Sequence, residues 1–335
     1  MSQIVVTGAF GWIGKAVSSW LLGQGFDVCG LDKLPSGVSS GSRYMAADIR
    51  FPLVENADLI NLVKGSACLI HCAGHAHVQP RSDAEARLFF DINSAGTQNI
   101  VQLCQAAGIP KIVYVSTISI YDWRRLNGPA SEDSPVQLDT AYAKSKYEGE
   151  LFVKGSELDW RIARLSTVYG WGDFANFLRL AAGLKQGRFI LPGKGSARKS
   201  VLPISLAGKL LGSIAANDAC SRSIINLALP EAPTLSQIVD TFCECCGFRQ
   251  PMSLPVPLLR ILGICGDLIS KFKSDFPLTT ATVSKLTYET VVSILRMEET
   301  LGKSGYGTFA DNLRESAEYY RKNGNHDRQI VCRFD

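Results

Sequence analysis

A tyrosine and a lysine lie four positions apart in the segment Tyr142-Ala143-Lys144-Ser145-Lys146. On a helix this spacing places both side chains on one face, a single turn apart. An ammonium group beside a phenol favours the phenolate, so an ordinary tyrosine pKa near ~10 is expected to move toward neutrality. The pair therefore predicts a group that exchanges protons with a substrate hydroxyl or carbonyl.

A glycine-rich turn near the start of the chain predicts a phosphate site. Gly8, Gly11 and Gly14 follow an apolar strand pattern and precede a helical one, so backbone amides can approach a pyrophosphate there. Asp32, 18 residues beyond Gly14, ends the second predicted strand. A carboxylate at that point accepts hydrogen bonds from adenosine ribose hydroxyls and repels a 2′-phosphate. The pattern predicts a dinucleotide site for NAD rather than NADP, while the adjacent Lys33 keeps NADP as the alternative.

The elements that must position these groups alternate over the first half of the chain. Apolar runs predict strands at 4–6, 27–32, 44–48, 67–71, 111–116 and 159–164, with helices at 12–22 and 84–107. Strands that alternate with helices pair in parallel and are covered on both faces. The predicted fold class is α/β, a doubly wound parallel sheet over residues 1–168, with ligands beyond the carboxyl ends of the strands.

After residue 168 the pattern loosens, and prolines and glycines interrupt the periodic segments. We expect a smaller, mostly helical lobe over 169–321 that carries the substrate pocket, followed by a polar tail over 322–335. The apolar run 224–228 is a candidate for a further strand of the main sheet. The apolar segment 258–269 is expected to pack within the lobe or at a subunit contact rather than on a membrane.

Composition limits the classes of partner and compartment. The 335 residues are 46% hydrophobic and 20% charged, with a net charge of +4 and no dense Lys/Arg block. This distribution gives no reason to expect nucleic acid or an anionic membrane as a partner. We see no apolar stretch long enough to span a membrane and no secretory signal. Ten cysteines are too sparse for a disulfide scaffold, so we expect a cytoplasmic protein. Cys243, Cys245 and Cys246 are too closely spaced for a zinc site, so we expect no metal.

Taken together, the motifs resemble those of the extended short-chain dehydrogenase/reductase family, which includes NAD-dependent sugar-nucleotide epimerases and dehydratases. The matching segments are 7–14, Asp32, 48–50, 71–74, Asn93 with 96–99, Ser116 and Thr117 before Tyr121, 142–146, and 164–170. The resemblance implies a Rossmann fold, NAD as cofactor, a nucleoside-diphosphate sugar as substrate, and a homodimer paired through helices 84–107 and 142–153.

The resemblance also implies roles for individual residues. Tyr142, Lys146 and Thr117 would be catalytic: Lys146 would bridge the nicotinamide ribose hydroxyls and lower the pKa of Tyr142, and Thr117 would hydrogen-bond the reacting oxygen. The implied cofactor contacts are Gly8, Phe10, Gly11, Trp12, Ile13, Gly14, Asp32, Lys33, Asp48, Ile49, Cys72, Ala73, Gly74, Asn93, Ser116, Tyr142, Lys146, Leu165, Ser166 and Val168. The implied substrate contacts are His75, His77, Thr117, Asn176 and Arg198, of which Arg198 would bind the diphosphate bidentately.

The residues after Thr117 narrow the chemistry. Ile118 and Ser119 stand where 4,6-dehydratases of the family carry an Asp-Glu pair, so we do not expect a 4,6-dehydratase. We expect a nucleotide-sugar 4-epimerase or a 4-keto-sugar oxidoreductase. Two alternatives stay open. One is a hydroxysteroid-type or small-ketone dehydrogenase, in which the segments 258–269 and 276–279 would form an apolar pocket. The other is a non-catalytic NAD(P)-binding sensor.

Overall fold

A seven-stranded parallel sheet forms the centre of the protein, which we describe from a computed structural model covering residues 2–34, 43–270, 279–303 and 305–324. Its strands are β1 (Gln3–Thr7), β2 (Asp27–Asp32), β3 (Arg43–Ala46), β4 (Cys68–His71), β5 (Lys111–Thr117), β6 (Asp159–Leu165) and β10 (Ser223–Leu227). Two short pairs complete the strands: β7 (Thr167–Tyr169) with β9 (Val201–Pro203), and β8 (Leu191–Pro192) with β11 (Ser253–Leu254). The predicted strands lie within one or two residues of those observed.

The strand order of the parallel sheet is β10-β6-β5-β4-β1-β2-β3, and the side on which the chain adds its next strand changes between β1 and β4. The chain first builds outward to β3, then returns to the other side of β1 and builds outward again. Thr7 and His71 end the two central strands as register partners. The predicted doubly wound Rossmann fold is confirmed, and this reversal opens a crevice beyond the strand ends, where such folds bind their ligands.

Twelve α-helices occur in the described residues. Some cover the two faces of the sheet, and the others form most of the chain after residue 168. They are α1 (Trp12–Gly23), α2 (Ala57–Val63), α3 (Asp83–Phe90), α4 (Gly96–Ala107), α5 (Ala141–Lys154), α6 (Asn176–Lys185), α7 (Ile204–Ala216), α8 (Leu235–Cys246), α9 (Val256–Ser270), α10 (Thr280–Thr287), α11 (Leu295–Leu301) and α12 (Phe309–Asn323). None of the helices in these residues combines the length and apolar character needed to cross a bilayer.

The single helix predicted over 84–107 is divided into two. A π-helical stretch, Asp91–Ala95, separates α3 from α4. The wider turn places the side chain of Asn93 inside the protein, fully buried, where it serves the site described below. Helical periodicity could not reveal the interruption, because one extra residue in a turn leaves most of the apolar pattern intact.

The part of the chain after residue 168 returns to the sheet as well as forming helices of its own. β10 pairs with β6 through five register partners, at the position expected for a further strand. Helices α6, α8 and α12 and strand β7 share an aromatic core, in which the rings of Tyr169, Phe177, Phe242 and Tyr320 pack in sequence against one another. Positions 276–278 of the predicted apolar pocket and 325–335 of the predicted tail lie outside the described residues.

Helix α7 packs closely against α1 through glycines. A Cβ atom at Gly208 would lie 2.6 Å from the carbonyl oxygen of Ala16, and one at Gly212 would lie 2.2 Å from the ring of Trp20. Real Cβ atoms do not approach so closely, so only glycine allows this distance between the helix axes. The contact joins the residues after 203 to the first crossover helix of the sheet.

We predict that Gly208→Ala destabilises the protein by roughly 1–3 kcal/mol, because the added methyl group meets backbone that cannot turn aside. Urea unfolding measures the change. Gly23→Ala at the end of α1 is the matched control, since nothing lies within 4 Å of the position that its added methyl group would take. A Gly208→Ala protein as stable as the control would contradict the close packing.

Candidate active site

The turn after β1 is shaped so that only glycine fits. Gly8 has a φ of 62°, and its carbonyl oxygen accepts a hydrogen bond from the Gly11 amide at 2.9 Å. A Cβ atom at Gly8 would lie 2.8 Å from the Ala73 backbone, and one at Gly14 would lie 2.0 Å from the Gly8 carbonyl oxygen. The turn therefore lies directly against the loop after β4, and α1 begins immediately after it at Trp12, with no side-chain hydrogen bond from its N-cap residue Gly11. This arrangement fits a bound pyrophosphate.

A buried histidine holds the two central strands in place at this point. The Thr7 hydroxyl donates to His71 Nδ1 at 2.7 Å, and His71 Nε2 donates to the Thr97 hydroxyl at 3.1 Å, because that hydroxyl already donates to the Asn93 carbonyl. Burial lowers the pKa of His71 to about 3, so the imidazole is neutral. His71 is thus a structural residue at the end of β4.

The carboxylate of Asp32 holds the glycine turn from the other side. One of its oxygens accepts from the Phe10 amide at 2.9 Å and the other from the Leu34 amide at 3.3 Å. The rings of Phe10 and Tyr44 lie 4.6 Å apart beside it. Asp32 and its neighbour Lys33 therefore lie at the edge of the crevice, where their roles toward the adenosine ribose stay predictions.

The residues expected near the adenine lie at the next strand end. A hydrogen bond from Arg50 lowers the pKa of Asp48. Asn99 donates to the carbonyl oxygen of Ile49 at 2.7 Å, and the Ile49 side chain is buried against Gly96. These contacts fix the Asp48–Ile49 backbone beside the Asp32 end of the crevice.

The three predicted catalytic side chains come together at the end of β5. Thr117 is the last residue of β5, and its hydroxyl accepts from the Ser119 amide at 3.1 Å. Tyr142 lies in the first turn of α5, whose N-terminus is capped by the Thr140 hydroxyl. The Thr117 hydroxyl lies close enough to Tyr142 for hydrogen bonding with it to lower the pKa of the phenol. Lys146 follows one turn later and is 5% exposed.

The expectation that the pKa of Tyr142 lies below its ordinary value is wrong for this structure. Burial raises the pKa of Tyr142, and the Thr117 hydrogen bond offsets only part of that rise. The Lys146 ammonium lies 4.1 Å from the centre of the Tyr114 ring. Burial lowers the pKa of Lys146 itself to about 7, against the opposing effect of Glu150. Desolvation is therefore the largest influence on the pKa of each of the two groups.

A buried ion pair lies beneath Lys146. Arg164 donates to both carboxylate oxygens of Glu150, at 2.9 and 2.8 Å, and the Ser116 hydroxyl donates to the same carboxylate at 2.6 Å. The charge of Glu150 raises the pKa of Lys146, but by less than burial lowers it. The Ser116 hydroxyl is thus a partner of Glu150, and its expected contact with the cofactor stays a prediction. The sequence analysis missed Glu150, which one further helical turn from Lys146 could have indicated.

Asn93 joins the loop after β4 to helix α5. Its side-chain oxygen accepts from the His75 amide at 2.7 Å, and its nitrogen donates to the His75 carbonyl at 2.9 Å and to the Ser145 hydroxyl at 3.0 Å. The His75 ring lies 4.6 Å from that of Phe89, which in turn packs edge-on against Tyr142. Asn93 thus positions His75 near Tyr142. Both hydrogens of its amide are used, whereas its oxygen keeps a second lone pair, so a contact with the cofactor stays a prediction.

The wall of the crevice is completed by residues from β4, β6 and β7. A Cβ atom at Gly74 would lie 3.9 Å from the Lys146 ammonium, so the loop Cys72–Gly74 borders that group. Leu165 ends β6, Val168 lies in β7, and Trp12 and Ile13 open α1 on the facing side. The Ser166 hydroxyl is buried without a hydrogen-bond partner among the described residues. An unpaired buried hydroxyl is costly, so this oxygen fits a ligand polar group at the crevice.

The expected substrate residues divide into two groups. Arg179 on α6 donates to the carbonyl oxygen of His77 at 3.3 Å, and Lys285 on α10 donates to the side chain of Asn176 at 3.4 Å. His77 and Asn176 therefore border one region. Arg198 is placed differently: it is exposed, and its Nε donates to the Ala232 carbonyl at 3.3 Å.

Three cations gather beside His77 and Asn176, and we call Arg179, Lys199 and Lys285 the cationic cluster. Lys199 donates to the carbonyl oxygens of Lys285 and Tyr288. Desolvation and the charge of Lys285 lower the pKa of Lys199 to about 8, and desolvation and the charge of Arg179 lower the pKa of Lys285. A neighbouring positive charge thus disfavours the protonated form of each lysine, and an anionic ligand would offset this repulsion. The sequence analysis missed the cluster because its members come from α6, α10 and the segment before β9.

The chain belongs to the NAD dependent epimerase/dehydratase family, whose match covers residues 4–200. The predicted enzyme class and NAD as cofactor are confirmed by this membership. A UDP-glucose 4-epimerase from Vibrio cholerae is 24% identical over 333 residues, which are 96% of this chain and 97% of that protein. The N-acetyl-alpha-D-glucosaminyl-diphospho-ditrans,octacis-undecaprenol 4-epimerase of Escherichia coli O157:H7 is 24% identical over 191 residues, so the match spans 55% of this chain and little more than half, 57%, of that protein.

Solved structures show the same fold over nearly the whole chain. MoeE5, solved in complex with UDP-glucose and NAD, superposes with a TM-score of 0.73 at 22% identity, over 96% of this chain and 99% of that chain. At this identity the likeness concerns the fold.

The lowered pKa of Lys146 predicts a pH dependence of stability. The folded protein releases the lysine proton near pH 7, whereas the unfolded chain keeps it up to the ordinary value of 10.5. Between these values the unfolded state binds more protons, so stability rises with pH, by about 2 kcal/mol from pH 7 to pH 9. Lys146→Met removes this contribution, and the difference between the two proteins, measured by urea unfolding at both pH values, isolates it. Parallel curves for the two proteins would show that Lys146 is not desolvated.

Proposed function

We propose that the protein is an NAD-dependent 4-epimerase or 4-keto-sugar oxidoreductase that acts on a sugar joined to a diphosphate. The observation that carries the proposal is the meeting of Tyr142, Thr117 and Lys146 at the end of β5, beside a glycine turn that fits a pyrophosphate. Bound NAD would accept a hydride from the sugar and return one. Family membership supports this class of chemistry, and the intact set of side chains argues against a non-catalytic sensor.

The proton steps fall to the three side chains. With its raised pKa, Tyr142 holds its proton at neutral pH and can donate it to a ketone oxygen. In the opposite direction the phenolate that takes a proton from a substrate hydroxyl is stabilised by the Thr117 hydroxyl and by protonated Lys146. A lysine with a pKa of about 7 can both hold and release a proton near neutrality, which suits a relay behind the tyrosine.

The cationic cluster supports a diphosphate on the substrate. A steroid or simple ketone offers no charge to Arg179, Lys199 and Lys285, whereas phosphate oxygens would relieve their mutual repulsion. The names of the two relatives agree on this chemistry: one acts on UDP-glucose and the other on a sugar joined to undecaprenol through a diphosphate. We therefore favour a diphosphate-linked sugar over a hydroxysteroid.

The proposal includes a homodimer in the cytoplasm. On α5, Leu151 is 51% exposed and Phe152 37% exposed, and a second copy packed against this helix would cover both. All nine described cysteines are free thiols, which supports a reducing compartment.

Tyr142→Phe tests the chemistry. We expect turnover to fall by about 10²- to 10⁴-fold, because the proton donor is lost, while NAD binding is kept. The assay incubates enzyme and NAD with a panel of uridine-diphosphate sugars and follows both C4 epimers and net formation of reduced nicotinamide. Epimers without net reduction indicate an epimerase, and net reduction indicates an oxidoreductase.

Tyr147→Phe is the matched control for this experiment, since it removes a second hydroxyl from the same helix. It should retain turnover. Full activity of Tyr142→Phe would instead assign the proton transfer to another group and end the proposal.

Lys285→Met and Arg198→Ala together locate the diphosphate. If the cationic cluster binds it, Lys285→Met raises KM for a nucleoside-diphosphate sugar by roughly three- to tenfold with little change in kcat, because the contact is the same in the ground and transition states. Steady-state kinetics measure both constants, with exposed Lys303→Met as control. A rise in KM for Arg198→Ala alone would place the diphosphate at Arg198, where the family resemblance implies it. No rise in KM for either variant would exclude a diphosphate both at the cationic cluster and at Arg198.

A further inference from the structure

The ammonium group of Lys146 has an unusual environment for a buried charge. Lys146 is 5% exposed, and among the described residues its Nζ forms neither a hydrogen bond nor an ion pair. Burial without such partners disfavours the charged form of a lysine. What lies against the ammonium is the face of an aromatic ring, because Nζ is 4.1 Å from the centre of the Tyr114 ring. At that distance a cation is attracted by the negative face of the ring.

Tyr114 is held in this position from several sides. It is fully buried in β5, where its register partner on β4 is His71. Its hydroxyl donates to the Lys146 carbonyl oxygen at 3.2 Å and lies 3.4 Å from the Asn93 carbonyl oxygen. A Cβ atom at Gly149 would lie 2.3 Å from the same hydroxyl oxygen, so α5 packs directly on the phenol. The ring and the helix that carries Lys146 are therefore fixed relative to each other.

One carboxylate near Lys146 favours its charged form. Glu150, one turn further along α5, raises the pKa of Lys146 by less than burial lowers it, and both of its oxygens accept from Arg164. Cys72, on the loop after β4, also raises the pKa of Lys146. Burial raises the pKa of Cys72 itself to about 12, so its thiol is neutral at pH 7.

The other ionisable groups around Lys146 are uncharged at neutral pH. Burial lowers the pKa of His71 on β4 to about 3, and desolvation raises the pKa of Tyr142 on α5. Burial raises the pKa of Tyr114 on β5 well above its ordinary value, so its phenol keeps its proton. These groups offer the ammonium no opposite charge, and the ring face of Tyr114 is the attraction that they do supply.

We propose that Tyr114 is a positioning residue for the proposed reaction: the face of its ring stabilises the ammonium form of Lys146 and holds Nζ beside Gly74. An aliphatic side chain can fill core volume at this position but has no negative ring face, so the ring has a role beyond packing. The inference rests on the proposed function, in which protonated Lys146 stabilises the phenolate of Tyr142.

Nuclear magnetic resonance of the lysine side chain measures the effect directly, on the full chain with NAD in excess. The Cε signal of Lys146, assigned by its loss in Lys146→Met, reports the pKa of the ammonium. We expect Tyr114→Leu to lower this pKa by about one unit, because a desolvated cation–π contact contributes on that order. Tyr114→Phe keeps the ring and loses the hydroxyl, so it should leave the pKa of Lys146 unchanged.

A fluorinated series separates the charge distribution of the ring from its shape. Phenylalanine with one, two or three fluorine atoms at position 114 keeps the form of the ring while weakening the negative charge on its face. We expect the pKa of Lys146 to fall with each added fluorine. A ring that serves only to fill the core would give the same pKa throughout the series.

Phe242→Leu is the matched control for the lost volume. Phe242 is fully buried in the aromatic core of α6, α8 and α12, where it contacts other rings rather than Lys146, so its variant should leave the pKa of Lys146 unchanged. An unchanged pKa of Lys146 in folded Tyr114→Leu, or a constant pKa across the fluorinated series, overturns the proposal. If Tyr114→Leu does not fold, the fluorinated series decides alone.

The pH profile of turnover separates this inference from the proposed function. If protonated Lys146 assists Tyr142, the alkaline limb of kcat for Tyr114→Leu moves to lower pH by the same amount as the pKa of Lys146. A lowered pKa without a shift of that limb supports the contact between ring and ammonium and counts against the proposed role of Lys146. The resonance measurement itself needs no turnover, so it tests the contact even if the proposed chemistry is wrong.

Discussion

The buried ion pair between Glu150 and Arg164 is the interaction on which the position of α5, and with it of Tyr142 and Lys146, depends. Arg164 also donates to the Tyr121 hydroxyl at 3.0 Å and to the Glu132 carbonyl at 2.8 Å, and Tyr121 in turn donates to Asn226 on β10 at 2.7 Å. One guanidinium thus joins α5, β6, β10 and the segment after β5. Breaking such a pair leaves an uncompensated buried charge, at a cost of roughly 3–5 kcal/mol. The position of α5 over β5 is therefore strongly fixed.

Fixing α5 in this way has an electrostatic consequence for the site. Lys146 is buried and Tyr142 is half-buried, and desolvation shifts both pKa values toward the neutral forms. In the proposed function the phenol would donate its proton to a substrate oxygen, and the lysine would exchange its own proton near neutral pH.

Charge and apolar surface are distributed unevenly over the molecule. Thr117, Tyr142 and Lys146 lie at the end of β5 and on α5, whereas the cationic cluster and the exposed apolar side chains of α9 both belong to the second half of the chain. α10 connects them, since it packs on α9 and carries Lys285.

The sequence by itself determined the strands, the glycine turn, Asp32 and the Tyr142–Lys146 pair, because short apolar runs and residue spacing are local properties. Only the tertiary structure decided the π-helical turn at Asn93, the pKa shifts of the pair, the grouping of Arg179 with Lys199 and Lys285, and the exposure of α9. Burial, and contacts between distant segments, arise when elements pack together. An apolar helix has the same sequence pattern whether its neighbour is protein or solvent, so packing alone settles which side chains are left uncovered.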